Sequence, residues 1–391
     1  MHTQTFSYLK DCIKELDIFK VLDEDTGYIK SIAKVFDELD DILVFGTGGS
    51  SLGGKCLVNF QSQYEGGTPR VTFIENTDSR SFLNAIDKCD PKSTGVIVIS
   101  KSGRTTEPLM LFLTLCEIWK DFDYSKRAIA ITEFSENNDL KILAESKNMK
   151  VYEHNKNIGG RFSVFSIVGL LPAVLGGVDI DLFIKGAKSV INEIQSFQSC
   201  EDCSIFKDIT MMHKVLSSGK VDQHVLLSYS DLLSDFGSWF VQLTGESLGK
   251  TDRFGVTPVK ATGTIDQHSL LQLFLGGPKN KLFTVIIQKN NLETPKINNS
   301  TDSKITIALR NHTIQELMFA HQKATIEVLR KVSSVRVLEF EEFNIESIGF
   351  LMMLGFIEVI TIAHLEGINP FDQPAVEESK NLVMQYLKEG K

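Results

Sequence analysis

The sequence predicts an α/β protein with two doubly wound parallel-sheet domains in tandem and C-terminal helices packed back on them. Three observations carry that expectation. Short apolar, β-rich runs alternate with amphipathic segments through the first half, the pattern of a parallel sheet covered by helices on both faces. The alternation resumes after a polar stretch, SFQSCEDCS, at 196–204, where a domain boundary is expected. A long apolar segment near the end is followed by Gly367, Pro370 and one last amphipathic run.

Taken in order, strands are expected at 42–46, 71–75, 95–100, 128–132 and 151–153. Helices follow most of them, at 50–60, 79–88, 107–119 and 139–146. The segment 164–178 reads as a buried helix that carries the chain away from the first sheet. Further strands are expected at 225–229, 283–288 and 335–340, then helices at 345–366 and from about residue 376. The expected division is 1–195 for the first domain with its N-terminal helices, 196–340 for the second, and 341–391 for a helical segment completing the site.

Composition narrows the function. With 391 residues, 42% of them hydrophobic, the chain can bury the cores of two or three domains, which excludes a disordered or fibrous protein. A net charge of −9 and a pI near 5.5 repel nucleic-acid phosphates, and no basic stripe offsets them locally. The same field opposes a phosphorylated ligand, so any phosphate site must rely on helix N-termini and hydroxyls. Residues 1–10 lack the basic and apolar pattern of a secretory signal, which suggests a cytoplasmic protein. The apolar run 348–362 falls short of the ~20 residues that span a bilayer and contains Glu358, so a buried helix is expected and no membrane partner. Cysteines lie at 12, 56, 89, 116, 200 and 203, and the lone CxxC at 200–203 reads as free thiols. Without an HExxH, a paired CxxC or an Asp-rich loop, no metal is implied.

Two loops could hold an anion. Gly46-Thr47-Gly48-Gly49-Ser50-Ser51-Leu52-Gly53 follows an apolar strand and opens a helix, where glycines let backbone N–H groups approach a ligand. A dinucleotide fingerprint wants glycine where Ser51 stands, although Glu75 after the second strand could mimic the ribose-binding acid. Ser100-Lys101-Ser102-Gly103-Arg104-Thr105-Thr106-Glu107-Pro108 also lies between a strand and a helix. A single helix cap needs one hydroxyl, whereas four within seven residues suit a dianionic phosphate.

The pairing of GTGGSSLG with SKSGRTTEP resembles the sugar-isomerase (SIS) domain. Gly159-Gly160-Arg161-Phe162-Ser163, Asp266-Gln267-His268-Ser269, and Asn369-Pro370-Phe371-Asp372-Gln373-Pro374 followed by Lys380 resemble the glucose-6-phosphate isomerase (phosphoglucose isomerase) family, closest to its short bacterial branch. The resemblance runs from about Asp41 to Lys380. It implies two SIS-type domains, a homodimer or larger assembly, a site between domains and subunits, and reversible interconversion of glucose 6-phosphate and fructose 6-phosphate in glycolysis and gluconeogenesis without a cofactor. By the same resemblance Gly49, Ser50, Ser100, Lys101, Ser102, Thr105 and Gln373 hold the substrate, and Arg161 faces the reacting carbons. Glu246 in Gly245-Glu246-Ser247-Leu248-Gly249-Lys250 falls on the proton-transferring carboxylate of the short enzymes, and His268 and Lys380 fall on the ring-opening pair. His312 and His321 are rivals of His268, while His213, His224 and His364 are expected to satisfy local hydrogen bonds. The chain departs from longer members at Ala261, where they carry a glutamate. Three other readings stand beside this one: an isomerase that also takes mannose 6-phosphate, a non-catalytic SIS sensor of sugar phosphates, and a nicotinamide-dependent dehydrogenase, which leaves SKSGRTTEP unexplained.

Overall fold

The computed structural model describes residues 1–64, 69–290, 292–298 and 303–390. Among them nine strands form two sheets. The first comprises β1 (Asp41–Phe45), β2 (Arg70–Ile74), β3 (Thr94–Ile99), β4 (Ala128–Thr132) and β5 (Lys150–Glu153), in the order β2-β1-β3-β4-β5. The second comprises β6 (Gln223–Ser228), β7 (Thr257–Thr262), β8 (Lys281–Gln288) and β9 (Ser334–Phe340), in the order β7-β6-β8-β9. Every neighbouring pair is parallel. The central strands β1, β3 and β4 are buried along their whole length, which is why they read as unbroken apolar runs rather than alternating ones.

The doubly wound α/β expectation holds for both sheets, with differences at the margins. Strand β7 escaped the sequence reading because Thr257–Thr262 carries Pro258 and Lys260 and sits at a sheet edge, where polar residues and proline are tolerated. The expected helix at 164–178 is instead a 3₁₀ turn, Gly160–Phe165, followed by the helix Ile167–Leu175, with Ser166 capping the junction by accepting from Val168 N–H.

The C-terminal helices divide. Ile345–Glu366 has the expected bounds, 22 residues long with a mean hydropathy of 2.0 over its most apolar window, enough by length and composition alone to cross a membrane. It is nevertheless a core helix, 83% buried over that window. Its Glu358 meets the Arg336 guanidinium at 2.5 Å, and Arg336 also reaches Asp208 at 2.6 Å. The last helix, Glu377–Glu389, corrects the expectation: it buries none of its residues, and Leu382, Val383, Met384, Tyr386 and Leu387 are all exposed. Among the described residues no apolar face covers that stripe.

Helix Ile180–Ser196 crosses Ile345–Glu366 with the two backbones nearly touching. A Cβ on Gly186 would lie 1.9 Å from the carbonyl oxygen of Glu346, and one on Gly349 would lie 1.9 Å from that of Phe183. Gly349→Ala is therefore expected to lower stability by about 1–3 kcal/mol, because the crossing must open around the new methyl. Urea denaturation checks this, and an unchanged midpoint would mean that the helices have room to spare.

Candidate active site

Strands β1 and β3 are neighbours at the centre of the first sheet, and the chain leaves them toward opposite edges. Loops at such a reversal frame a crevice beyond the carboxyl ends of the strands. The glycine loop follows β1 and the hydroxyl-rich loop follows β3, so topology brings the two anion loops to one edge of the sheet.

In the glycine loop Gly48 has φ +56°, a region that favours glycine. Gly49 is needed for a different reason: a Cβ there would fall 2.1 Å from the carbonyl carbon of Gly160. The loop thus presses on the 3₁₀ turn Gly160–Phe165, and the Ser163 hydroxyl ties the two by donating to the carbonyls of Gly49 at 3.0 Å and Gly160 at 2.7 Å. Ser50 ends the single 3₁₀ turn Gly48–Ser50. Glu75 accepts from Ser51 Oγ at 2.7 Å and pairs with Lys55 at 2.5 Å, so it is committed within the protein and not free for a ribose.

In the second loop Thr105 occupies the N-cap of helix Thr106–Ile118, yet its side chain makes no capping hydrogen bond. The Ser100 hydroxyl donates to Thr105 Oγ1 at 2.9 Å, and Ser102 Oγ accepts from Arg104 N–H at 3.2 Å. Gly103, at φ +65°, lies against Asn138, whose amide donates to Thr132 Oγ1 at 2.7 Å. Without that cap the first-turn N–H groups of the helix are available to an anion. Lys101 is engaged within the protein: its ammonium donates to the Lys156 carbonyl at 2.7 Å and faces Glu133 at 3.4 Å.

Arg161, 3% exposed, is the hub. Its Nε donates to Ser247 Oγ at 2.8 Å and its Nη1 to Glu246 Oε2 at 3.1 Å and Gln373 Oε1 at 3.0 Å. Its Nη2 donates to the carbonyl oxygens of Asp372, at 3.0 Å, and Pro370. One guanidinium therefore joins the first domain's turn, the helix Ser234–Leu248 and the strap 370–373. Burial pulls its pKa below the ordinary value while Glu246 acts in the opposite sense, and the group stays cationic. Glu246, its side chain 33% exposed, has its second oxygen held by Gln242 Nε2 at 3.0 Å, one helical turn back. Gln242 in turn lies against the glycine loop, its Nε2 2.9 Å from where a Cβ on Gly48 would stand. Lys250 Nζ fixes the strap by reaching Asp372 Oδ1 at 3.0 Å.

The residues brought together are thus Arg161, Glu246, Gln373 and the Gly49 loop. His268 is exposed at the end of the 3₁₀ turn Ile265–His268, and Lys380 stands on the uncovered last helix, paired with Glu377 at 2.6 Å. Among the described residues neither has a hydrogen bond to the Arg161 cluster within one chain, and His312 is paired with Glu316 at 3.0 Å. Of the other histidines, His213 meets Glu366 at 2.6 Å. His224 meets Thr284 Oγ1 at 2.8 Å, with burial pushing its pKa down to about 3. His364 stacks on Tyr8 with ring centroids 3.9 Å apart. Ala261 lies buried inside β7, opposite Leu227. Sequence reasoning missed Gln242, Ser247 and Lys250. The spacing of four between Gln242 and Glu246 on one helix was the available signal.

The phosphoglucose isomerase family model matches residues 17–391. The chain belongs to the phosphoglucose isomerase family. It is 32% identical over 367 residues to a glucose-6-phosphate isomerase of Rubrobacter xylanophilus, covering 91% of this chain and 84% of that protein. It is 30% identical over 391 residues to the glucose-6-phosphate isomerase of Campylobacter jejuni, covering 97% and 94%. Among solved structures, a hypothetical protein of Thermus thermophilus superposes with a TM-score of 0.88 at 30% identity, covering 99% of this chain and 94% of that one. A glucose-6-phosphate isomerase of Chlamydia trachomatis shares the fold, with a TM-score of 0.78 at 21% identity, covering 99% and 78%. As a phosphoglucose isomerase family member the chain is an enzyme of the aldose–ketose isomerase class.

Proposed function

We propose that this chain interconverts glucose 6-phosphate and fructose 6-phosphate through an enediolate, with Glu246 as the base. The observation that carries the reading is the pairing of Glu246 with buried Arg161, whose turn packs against the glycine loop after β1, the neighbour of the strand that the hydroxyl-rich loop follows. Isomerisation moves one proton between C2 and C1. Glu246 is a carboxylate fixed at both oxygens, suited to take that proton and return it. Arg161 cannot act as base, and its fixed charge suits the enediolate oxygens. Ser100, Ser102, Thr105 and the helix N-terminus behind them receive the phosphate, with Gly49, Ser50 and Gln373 along the sugar.

A coupled assay tests the reading. Conversion of fructose 6-phosphate to glucose 6-phosphate is expected, and tight binding without turnover would favour the sensor instead. Turnover of mannose 6-phosphate at a comparable rate would extend the specificity. Ser100→Ala with Thr105→Ala is expected to raise KM for fructose 6-phosphate about tenfold or more while kcat changes little, since remote phosphate contacts act on ground state and transition state alike. An unchanged KM would remove the loop from the site.

The uncovered apolar stripe of helix Glu377–Glu389 supports a homodimer in which a second copy covers that helix and brings His268 and Lys380 to the ring oxygen. Deleting 377–390 is expected to yield monomers, seen by sedimentation, with ring opening impaired. A monomeric variant with full activity on the closed sugar would overturn it. Division of the chain at residues 195/196 and 340/341, a cytoplasmic location and independence from metals or redox cofactors belong to the same proposal.

A further inference from the structure

The two sheets are built on one plan up to a point. The order β7-β6-β8-β9 repeats β2-β1-β3-β4, but the first sheet goes on to helix Asp139–Ser146 and β5, and the second, among the described residues, stops. Where that missing unit would lie, a groove of about 860 Å³ opens between helix Ile314–Arg330 and the β8–β9 ribbon. That volume is within the range of small-molecule sites, and the groove holds no residue of the Arg161 cluster.

We propose that this groove is a second ligand site, for a small molecule with an apolar body and one anionic head group. Three features select that chemistry. Ile287, Phe319, Ile326 and Val337 contribute apolar surface to the groove, which suits a hydrocarbon or aromatic body and not a sugar. The rim is basic in a protein whose net charge is −9: Lys289, Lys323, Arg330 and Lys331 stand against Glu327 and Glu339. Lys289 is matched by Glu339 at 3.1 Å and Glu341 at 2.8 Å, and Lys331 faces Glu327 at 3.5 Å. Lys323 and Arg330 are exposed and have no ion pair among the described residues, so two positive charges remain for a ligand anion.

The third feature is an orphan. Gln322 lines the groove, is 4% exposed, and its amide Nε2 has no hydrogen-bond partner among the described residues. A buried donor left unpaired is costly, so native proteins rarely retain one without a role. Its nitrogen is enclosed, so a carbonyl, ether or ring-nitrogen acceptor on the ligand body satisfies it only when the Gln322 side chain rotates into the groove.

The test uses 8-anilinonaphthalene-1-sulfonate as the anionic probe and N-phenyl-1-naphthylamine as its uncharged counterpart, on the full-length protein. Saturable binding of one sulfonate probe per chain is expected, weakened about tenfold or more by Lys323→Glu with Arg330→Glu, while the uncharged probe is indifferent to the reversal. Both residues are exposed and lie outside the isomerase cluster, so turnover of fructose 6-phosphate without probe should be unchanged. Gln322→Leu should weaken a probe that carries an acceptor and leave the fold intact. The proposal is overturned if no saturable binding occurs, if charge reversal leaves it unchanged, or if fructose 6-phosphate displaces the probe. Dissociation of the charge-reversed protein into smaller species on sedimentation would equally overturn it, since the groove would then be a subunit contact.

Discussion

Glu246→Gln is expected to lower isomerisation by about 10³-fold or more while leaving substrate binding largely intact. The substitution keeps the length of the side chain and a hydrogen-bonding end, so Gln242 and Arg161 retain a neighbour of the same size. What disappears is the carboxylate that accepts the C2 proton. The loss should therefore fall on kcat and not on KM, the sign of a group that acts mainly in the transition state. A second readout separates proton transfer from ring opening: exchange of solvent deuterium into an open-chain substrate analogue should vanish in Glu246→Gln and persist in His268→Ala. Exchange that persists in Glu246→Gln would move the base to another carboxylate.

Arg161→Lys is expected to lower activity by about 10²-fold or more and stability by about 2–4 kcal/mol, an unusually large penalty for a change that keeps the charge. The guanidinium serves Ser247, Glu246, Gln373 and two strap carbonyls at once. An ammonium has three donors and no planar fork, so at least two of the five acceptors would lose their partner, at about 1–3 kcal/mol for each that is buried. The strap 370–373 would be released on the Arg161 side, leaving Lys250 to hold it. Thermal unfolding and steady-state kinetics check the two halves separately. A variant with a near wild-type Tm and kcat would show that Arg161 neither organises nor faces the reacting centre.

Helix Ile345–Glu366 is the buried helix expected, and it shows what hydropathy alone leaves open: a residue's preference for oil does not say whether lipid or protein supplies it. Arg336 decides the matter by meeting Glu358 inside the protein, 22 positions away along the chain. Strand β7 is where the local reading fails, since an edge strand with few apolar residues gives little alternation to detect.

By itself the sequence determined the two parallel sheets and the two anion loops. Buried parallel strands must be continuously apolar, and a turn that admits a ligand to backbone N–H groups must be rich in glycine and hydroxyls, so both leave local signatures. The resemblance of short motifs named the residues of the cluster. Only the tertiary structure decided that Arg161 binds Glu246 and Gln373, 85 and 212 positions away, that Gln242 holds the carboxylate's other oxygen, and that Lys101 is held by the Lys156 carbonyl. It also decided that the last helix is left uncovered. These are contacts between side chains distant in sequence. No local pattern encodes them, because a polar residue reads the same on a solvated face and at the centre of a site until the fold supplies its partners.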